Sequence, residues 1–209
     1  MLELLKKVLK PVAPSGLEEP VAAVIREEVA PYVDSIETDA LGNLICVKNG
    51  TEANPEKIML SAHMDHIGYI VTGIEKEGFL RVTNVGGISP TMSLTRHVSF
   101  PNGVQGVVVS EVSKDTAMKD LFVDIGAQDK ADAETMVQIG DVCVYANDCF
   151  QLGANRVASP AMDDRAACAL LIRRDEADHH CRFLRAGGSR LPRREGGVVR
   201  ESAGQGHCH

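Results

Sequence analysis

Two short polar motifs in the sequence combine residue types that can bind a metal ion. The first is His63-Met64-Asp65, which follows an apolar run at residues 57–62. An imidazole is a good ligand for zinc or cobalt, and a carboxylate two residues away can orient that imidazole or a catalytic base. A surface turn that carries a polar pair is the alternative interpretation, and the motif alone does not distinguish the two.

The second motif is Asp163-Asp164-Arg165, which follows Ala158-Ser159-Pro160. A carboxylate at a loop-to-helix junction can bridge two cations, and Arg165 would compensate charge there. The alternative is helix capping, because acidic side chains in a first turn interact favourably with the helix dipole. His66, His97 and the cysteines have no spacing typical of metal ligands, so we assign them to packing or to the surface.

The sequence lacks the motifs of several other chemistries. It contains no GxSxG, so a serine-hydrolase interpretation has no nucleophile. Gly86-Gly87 predicts a turn, since the Gly-Lys-Ser/Thr of a phosphate-binding loop does not follow it. Glycosidase chemistry needs two carboxylates that flank a sugar cleft, which differs from a histidine paired with an aspartate.

Composition excludes two further classes of partner. The chain has 209 residues, is 44% hydrophobic and 24% charged, and carries a net charge of −7. This composition is typical of a globular protein, and the negative charge argues against binding nucleic acid or a membrane surface through bulk charge. No apolar run reaches the roughly 18 residues of a membrane-spanning helix. Scattered cysteines without a CxxC pair favour free thiols in a cytoplasmic protein.

Hydrophobic periodicity predicts the elements that position the first motif. Residues 2–10 predict one helix, and the spacing of Ser15 and Glu18 predicts a capping box at the start of a second. Residues 57–62 predict a continuous apolar strand buried on both faces, and its carboxyl end carries the histidine. Ligands of open α/β sheets bind outside that end of the strands.

The sequence from residue 68 to residue 157 has a different pattern. Short β-rich runs alternate with Gly, Pro and Asn turns, which is typical of a small β-barrel or sandwich. The runs are YIVTGI, GFLRV, HVSF, VQGVVVS, LFVDIG and DVCVYA. One helix is predicted over residues 130–138, and a helical pattern resumes at residues 163–173. We therefore predict that residues 68–157 form a β-rich domain inserted into an α/β domain made of residues 1–67 and 158–173.

Eight segments taken together resemble the cytosolic two-metal aminopeptidases, a family of tetrahedral aminopeptidases, glutamyl aminopeptidases and cellulase-M-like proteins. In chain order they are PSGLEE, DALGNLI, LSAHMDHIGYIV, NVGGI, LFVDIGA, the Gly140-Asp141 pair, NRV and AMDDR. The resemblance runs from about residue 1 to residue 173 and is specific only as a set. It implies an α/β sandwich catalytic domain of the phosphorylase/hydrolase-like zinc-peptidase type, interrupted by a β-barrel-like domain used in oligomer assembly.

The resemblance also implies roles for three residues. His63 would bind one metal ion, Asp163 would bridge two metal ions, and Asp65 would support the catalytic base. The intact enzyme would use two divalent ions, zinc or cobalt, and would be a cytoplasmic homo-oligomer that acts on short peptides. His66 stands where the family usually has Glu, a departure from which we expect little consequence for the metals.

The last part of the family pattern is missing. The QEE motif, which in the family supplies a base and a metal ligand, is absent, and we expect that the chain stops short of the family's later acid and of the histidine near the family's C-terminus. Codons permitted for residues 182–195 can encode VFSVQEEVGCRGAK when shifted by one base, and those for residues 201–209 can then encode NPPDKAIA. We therefore predict that residues 174–209 are out of frame, through a real frameshift or a sequencing error. This Arg- and Gly-rich tail is expected to be poorly ordered, because little apolar burial offsets its ordering entropy.

Two alternatives to this interpretation remain open. The tail could be genuine, disordered and metal-binding through His179, His180, His207 and His209. The chain could also be a non-catalytic assembly or regulatory subunit that acts through its β-rich domain. Under the leading interpretation it is an inactive N-terminal fragment of a metal-dependent aminopeptidase, and its metal binding is weak or absent because zinc sites use three or four ligands.

Overall fold

The computed structural model describes residues 1–50, 58–112, 114–146 and 149–173, and the backbone of two short strands at residues 182–184 and 199–200. Apart from those strands, the tail predicted to be out of frame lies outside the described residues, and so do its four histidines. The four cysteines of the described part are free thiols. No helix in these ranges is both long and apolar enough to cross a membrane.

The elements alternate between helices and short strands along the chain. They are α1 (Leu2–Leu9), α2 (Glu19–Val29), a 3₁₀ turn (Ala30–Tyr32), β1 (Ser35–Thr38), β2 (Leu44–Val47), β3 (Ile58–Met59), β4 (Gly68–Ile74), β5 (Leu80–Val85), α3 (Pro90–Ser93), β6 (His97–Ser99), β7 (Gln105–Ser110), a second 3₁₀ turn (Met118–Asp120), β8 (Leu121–Asp124), α4 (Lys130–Met136), β9 (Val142–Tyr145), β10 (Phe150–Leu152), β11 (Arg156–Ala158), α5 (Met162–Arg173), β12 (Arg182–Leu184) and β13 (Val199–Arg200).

One apolar core joins the three longest helices to the β1–β2 hairpin. The hairpin is antiparallel and pairs Ser35 with Val47, and β12 pairs antiparallel with the other edge of β2. The buried side chains recur at helical spacing in α1, α2 and α5, so each helix presents one apolar face to the sheet. They include Val8, Val21, Ile25, Leu44, Met64, Cys168 and Ile172.

A second core fills a closed antiparallel barrel of six strands. The strand order is β4-β5-β8-β7-β6-β9, and β9 pairs with β4 to close the barrel. Inward-facing apolar residues alternate with outward-facing ones, as Leu80, Arg81 and Val82 show on β5. Each of the six β-rich runs in the sequence supplies one strand of the barrel, so the predicted β-barrel-like architecture is confirmed.

The strand predicted over residues 57–62 is wrong in its length and burial. β3 contains two residues, Ile58–Met59, and Met59 is 44% exposed. Within the described ranges, β13 is its only strand partner. An apolar strand is buried on both faces only when other elements cover both faces. The described residues do not provide that cover, and His63 lies four residues beyond the end of the strand.

Candidate metal centre

The connection between β3 and β4 carries the first motif and is fixed at several points. Met64 is fully buried in the first core, so its side chain anchors the backbone between His63 and Asp65. The backbone N–H of His66 donates to the carbonyl of Ala13 at 3.3 Å. The thiol of Cys168 on α5 donates to the carbonyl of His63 at 3.3 Å. The backbone of the motif is therefore fixed by Ala13 on one side and by Cys168 on the other, independently of the contacts of its own side chains.

The structure brings together all three residues predicted for the site. The Nδ1 atom of His63 lies 3.1 Å from Oδ1 of Asp65 and 3.1 Å from the Asp65 carbonyl oxygen. The Nε2 atom of the same ring lies 3.0 Å from Oδ1 of Asp163, a residue 100 positions further along the chain. The Asp163 side chain is 95% exposed, whereas that of Asp65 is 13% exposed. The convergence is a structural fact, whereas the roles given to these residues remain predictions.

The two carboxylates stabilise positive charge on His63. The hydrogen bond with Asp65 is the main cause that raises the pKa of His63 to about 9, against the effect of burial, and Asp163 adds to the rise. The same hydrogen bond from His63 is the main cause of a lowered Asp65 pKa. A protonated His63 donates to Asp65 through Nδ1 and to Asp163 through Nε2. A metal ion that binds to Nε2 would therefore have to displace the proton that lies between the ring and Asp163.

Arg165 does not compensate charge at Asp163, which corrects the prediction from the sequence. Its side chain is fully buried, and its guanidinium donates to four backbone carbonyls at 3.3 Å or less: those of Met64 (2.7 Å), Pro11 (2.7 Å), Ala13 (3.1 Å) and Leu9 (3.3 Å). The backbone at Asp163 and Asp164 is non-helical, and the peptide bond between these residues is cis. The two carboxylates therefore lie outside the regular helix, while Arg165 lies at its buried start.

Ser15 is the contributor to the site that the sequence interpretation missed. The predicted capping box is wrong, because the N-cap of α2 is Glu18 and no side chain caps the helix. The Ser15 hydroxyl instead donates to Oδ2 of Asp65 at 2.5 Å, and Glu18 Oε1 accepts the N–H of Gly16 at 2.7 Å. A serine three residues before a glutamate fits a cap and a distant partner equally well. The sequence therefore contained no signal that separated these two uses.

The donor set fits part of a divalent metal site. Zinc–nitrogen and zinc–oxygen distances of about 2.0–2.2 Å place two tetrahedral ligands about 3.3 Å apart. The 3.0 Å between His63 Nε2 and Asp163 Oδ1 is close to that separation. Within the described residues, however, no group of three or more His, Cys, Asp or Glu side chains could hold a metal ion. The described residues thus offer two donors to a site that needs further ligands.

His66 differs from His63 and Asp65, because its ring has no polar partner among the described residues. It is 4% exposed, and among the described residues neither ring nitrogen has a hydrogen-bond partner. Burial is the main cause that lowers the pKa of His66 to about 3, and the positive charge of Arg165 lowers it further. The ring is therefore neutral at physiological pH. His97, in contrast, lies exposed on the barrel.

Solved aminopeptidases define the class to which this fold belongs. The structure matches the aminopeptidase of the archaeon Desulfurococcus kamchatkensis with a TM-score of 0.80 and 34% identity, over 88% of this chain and 54% of that chain. It also matches the TET1 peptidase of Pyrococcus horikoshii with a TM-score of 0.74 and 32% identity, over 87% of this chain and 59% of that chain. That peptidase can assemble into a tetrahedron or a large octahedral shell. The fold is thus the mixed α/β fold of these aminopeptidases, barrel included.

The chain belongs to the M42 glutamyl aminopeptidase family, whose model matches residues 42–178. An inferred aminopeptidase from Acetivibrio thermocellus is 42% identical over 177 residues, which is 83% of this chain and 52% of that protein. The chain spans about half the length of the curated relatives it matches. The family resemblance drawn from the sequence motifs is therefore confirmed.

Proposed function

We propose that this chain carries part of the active site of a metal-dependent aminopeptidase that releases N-terminal residues from short peptides. The pairing of His63 Nε2 with Asp163 Oδ1 at 3.0 Å, in a chain of the M42 family, is the observation that carries this proposal. Because that pair is only part of a metal site, we also propose that the 209 residues alone are inactive and bind metal weakly or not at all.

The described residues support a distinct role for each member of the site. His63 and Asp163 would hold a zinc or cobalt ion, and Asp163 would also help to hold a second ion. When bound, such ions supply Lewis acidity toward a peptide carbonyl and toward water. A metal-bound His63 ring would be neutral, and Asp65, which accepts from Nδ1, would then keep the proton on that nitrogen and leave the lone pair of Nε2 to the metal. The exposed Asp163 carboxylate is accessible to a substrate from solvent.

The general base and the remaining ligands are proposed to be encoded in the shifted frame. In the family a QEE motif supplies the base, and the sequence of this chain lacks that motif. The match to the family model ends at residue 178, close to the point near residue 174 where the composition changes to Arg without Lys. Restoring the frame would add the motif within residues 182–195, after the end of α5 at Arg173.

The barrel supports a second role for the chain. We propose that residues 68–157 form an inserted domain that associates with further copies of the protein in a homo-oligomer. The barrel has its own apolar core, separate from that of α1, α2 and α5, and a solved relative can assemble into closed shells. If the tail proves to be in frame, the closed barrel favours the alternative that the chain is a non-catalytic assembly or regulatory subunit. A cytoplasmic location stays a prediction.

Sequencing the gene across the codons for residues 173–175 tests the frame, and cleavage of aminoacyl-p-nitroanilides tests the activity. We expect the 209-residue protein to be inactive and a frame-restored protein to be active. Asp163→Asn should abolish the restored activity, whereas Glu77→Gln, which changes an exposed carboxylate of the barrel, should leave it unchanged. Cleavage by the 209-residue protein that Asp163→Asn abolishes would refute its proposed inactivity, and a tail without a neighbouring QEE frame would remove the frame proposal.

A further inference from the structure

Residues 11–15 run alongside the first motif and are fixed there by α5. The Arg165 guanidinium donates to the carbonyls of Pro11 and Ala13 at 2.7 and 3.1 Å. Pro14 forms a parallel bridge with His66, and both Ala13 and Pro14 are buried. Ser15 follows directly, so its backbone is fixed next to the motif. Helix capping does not account for this placement, because α2 begins at Glu19 after an N-cap at Glu18.

Each oxygen of the Asp65 carboxylate has a separate donor. Oδ2 accepts from the Ser15 hydroxyl at 2.5 Å, and Oδ1 accepts from His63 Nδ1 at 3.1 Å. Asp65 is 9% exposed, so water competes little for these positions. The terminal torsion of an aspartate is broad and roughly two-fold, so packing alone sets the carboxylate rotation poorly. Two donors on opposite oxygens set that rotation.

We propose that Ser15 is a positioning residue of the site, which fixes the Asp65 carboxylate so that Asp65 holds the His63 ring with Nε2 toward Asp163. Ser15 acts through Asp65 and touches neither of the two predicted metal donors in the described hydrogen-bond network. The outer partners of a ligating histidine fix its tautomer and ring orientation, and their loss typically costs 10- to 100-fold in metal affinity or activity. The inference rests on the proposed metal-binding role of His63, although the contact itself does not.

The test reads the His63 ring directly in the metal-free 209-residue protein. Protein labelled with ¹⁵N-histidine gives an Nδ1–H signal for His63, which a His63→Gln variant assigns. We expect Ser15→Ala to raise the rate at which this proton exchanges with solvent about tenfold, the factor that corresponds to a loss of about 1.4 kcal/mol from a charge-assisted hydrogen-bond network. Ser15→Thr retains a hydroxyl and should retain the slow exchange.

A matched control and a folding check keep the result interpretable. Ser99→Ala removes a hydroxyl that donates to Gln105 on the barrel surface, and it should leave the His63 signal unchanged. Backbone amide signals of the barrel and of α5 report whether each variant is folded. An exchange rate in folded Ser15→Ala within twofold of that in Ser99→Ala would overturn the proposal. If Ser15→Ala unfolds, slow exchange in Ser15→Thr would support it and fast exchange in folded Ser15→Thr would overturn it.

Adding Co²⁺ to the same samples separates this inference from the metal role of His63. Selective paramagnetic broadening of the His63 signals supports that role, even when binding is weak. Faster exchange in Ser15→Ala together with unaffected His63 signals in Co²⁺ would support the positioning contact, and the same lack of broadening in the frame-restored protein would count against the metal role of His63. Broadened His63 signals together with unchanged exchange in Ser15→Ala would support the metal role and overturn the positioning by Ser15.

Discussion

Mild acid should destabilise the protein through His66. The ring is buried, neither nitrogen has a hydrogen-bond partner among the described residues, and its pKa is lowered to about 3, mainly by burial. In the unfolded chain a histidine has a pKa of about 6.5. Below that pH the unfolded state binds a proton that the native state does not, so the free energy of unfolding falls as the pH falls from about 6.5 toward 3.

The expected magnitude follows from the pH interval that the unfolded histidine titrates. Between pH 7 and pH 5 the free energy of unfolding should fall by about 1.4 kcal/mol for each of the roughly 1.5 pH units below 6.5, which gives a loss of about 2 kcal/mol. This is a large fraction of the 5–15 kcal/mol typical of a folded domain. The contribution of His63 to the free energy of unfolding changes with pH in the opposite direction. Its raised pKa gives a stabilisation that is complete below about pH 6.5 and is lost as the pH rises through about 9. It therefore does not contribute to the loss in acid.

Urea unfolding of the wild type and of His66→Leu at pH 7, 6 and 5 measures this contribution. The variant replaces nitrogens that have no partner among the described residues with apolar atoms of similar volume, so its stability at pH 7 should be equal to or higher than that of the wild type. Its loss between pH 7 and pH 5 should be smaller by about 2 kcal/mol. His97→Leu changes an exposed ring and should keep the wild-type slope. If wild type and His66→Leu lose stability in parallel, His66 is not the neutral buried group described above.

Two further substitutions test the carbonyl contacts of Arg165 and the close packing of β4 against β9. Arg165→Met should cost more than about 3 kcal/mol in urea unfolding, because the carbonyls of Met64, Leu9 and Pro11 lose a donor at about 1–3 kcal/mol each, whereas that of Ala13 keeps the N–H of His66. Arg156→Met changes an exposed side chain and should cost under about 1 kcal/mol. A similar cost for both variants would contradict the role of Arg165 as a shared donor to these carbonyls. Gly68→Ala should lower the melting temperature, since its Cβ would lie 2.6 Å from the Cys143 carbonyl oxygen. Gly87 has open space around it, so equal effects of Gly87→Ala and Gly68→Ala would show that this contact is unimportant.

The barrel could be predicted because its signal is local. Each strand is a short run of β-branched residues with period-2 alternation, bounded by turn residues, and this pattern does not depend on distant parts of the chain. Residues 57–62 show the limit of such reasoning. Their apolar run predicts burial, but burial depends on which elements cover the strand, and Met59 stays 44% exposed with β13 as its described partner.

The sequence could predict which residues come together in the candidate site, but it could not predict the contacts that hold them in place. His63 and Asp163 belong to motifs that resemble those of a known family, so their types and order identified them. Ser15 and Arg165 were given the wrong partners, because a hydroxyl can cap a helix or bind a carboxylate, and a guanidinium can pair with an acid or with carbonyls. Only the tertiary structure selects among such partners, because they can lie far apart in the sequence. Arg165 and Met64, for example, are more than 100 positions apart.

The contacts of α5 imply that the backbone around the two predicted metal donors is fixed without the missing part of the family pattern. Arg165 lies two residues after Asp163 and binds the segment that leads to Ser15, while Cys168 on the same helix binds the carbonyl of His63. The element that carries one donor therefore also supports the other. A binding group whose rotamer is fixed by its surroundings loses less entropy when it binds. We therefore expect that completing the site requires added ligands and base rather than rearrangement of His63 and Asp163.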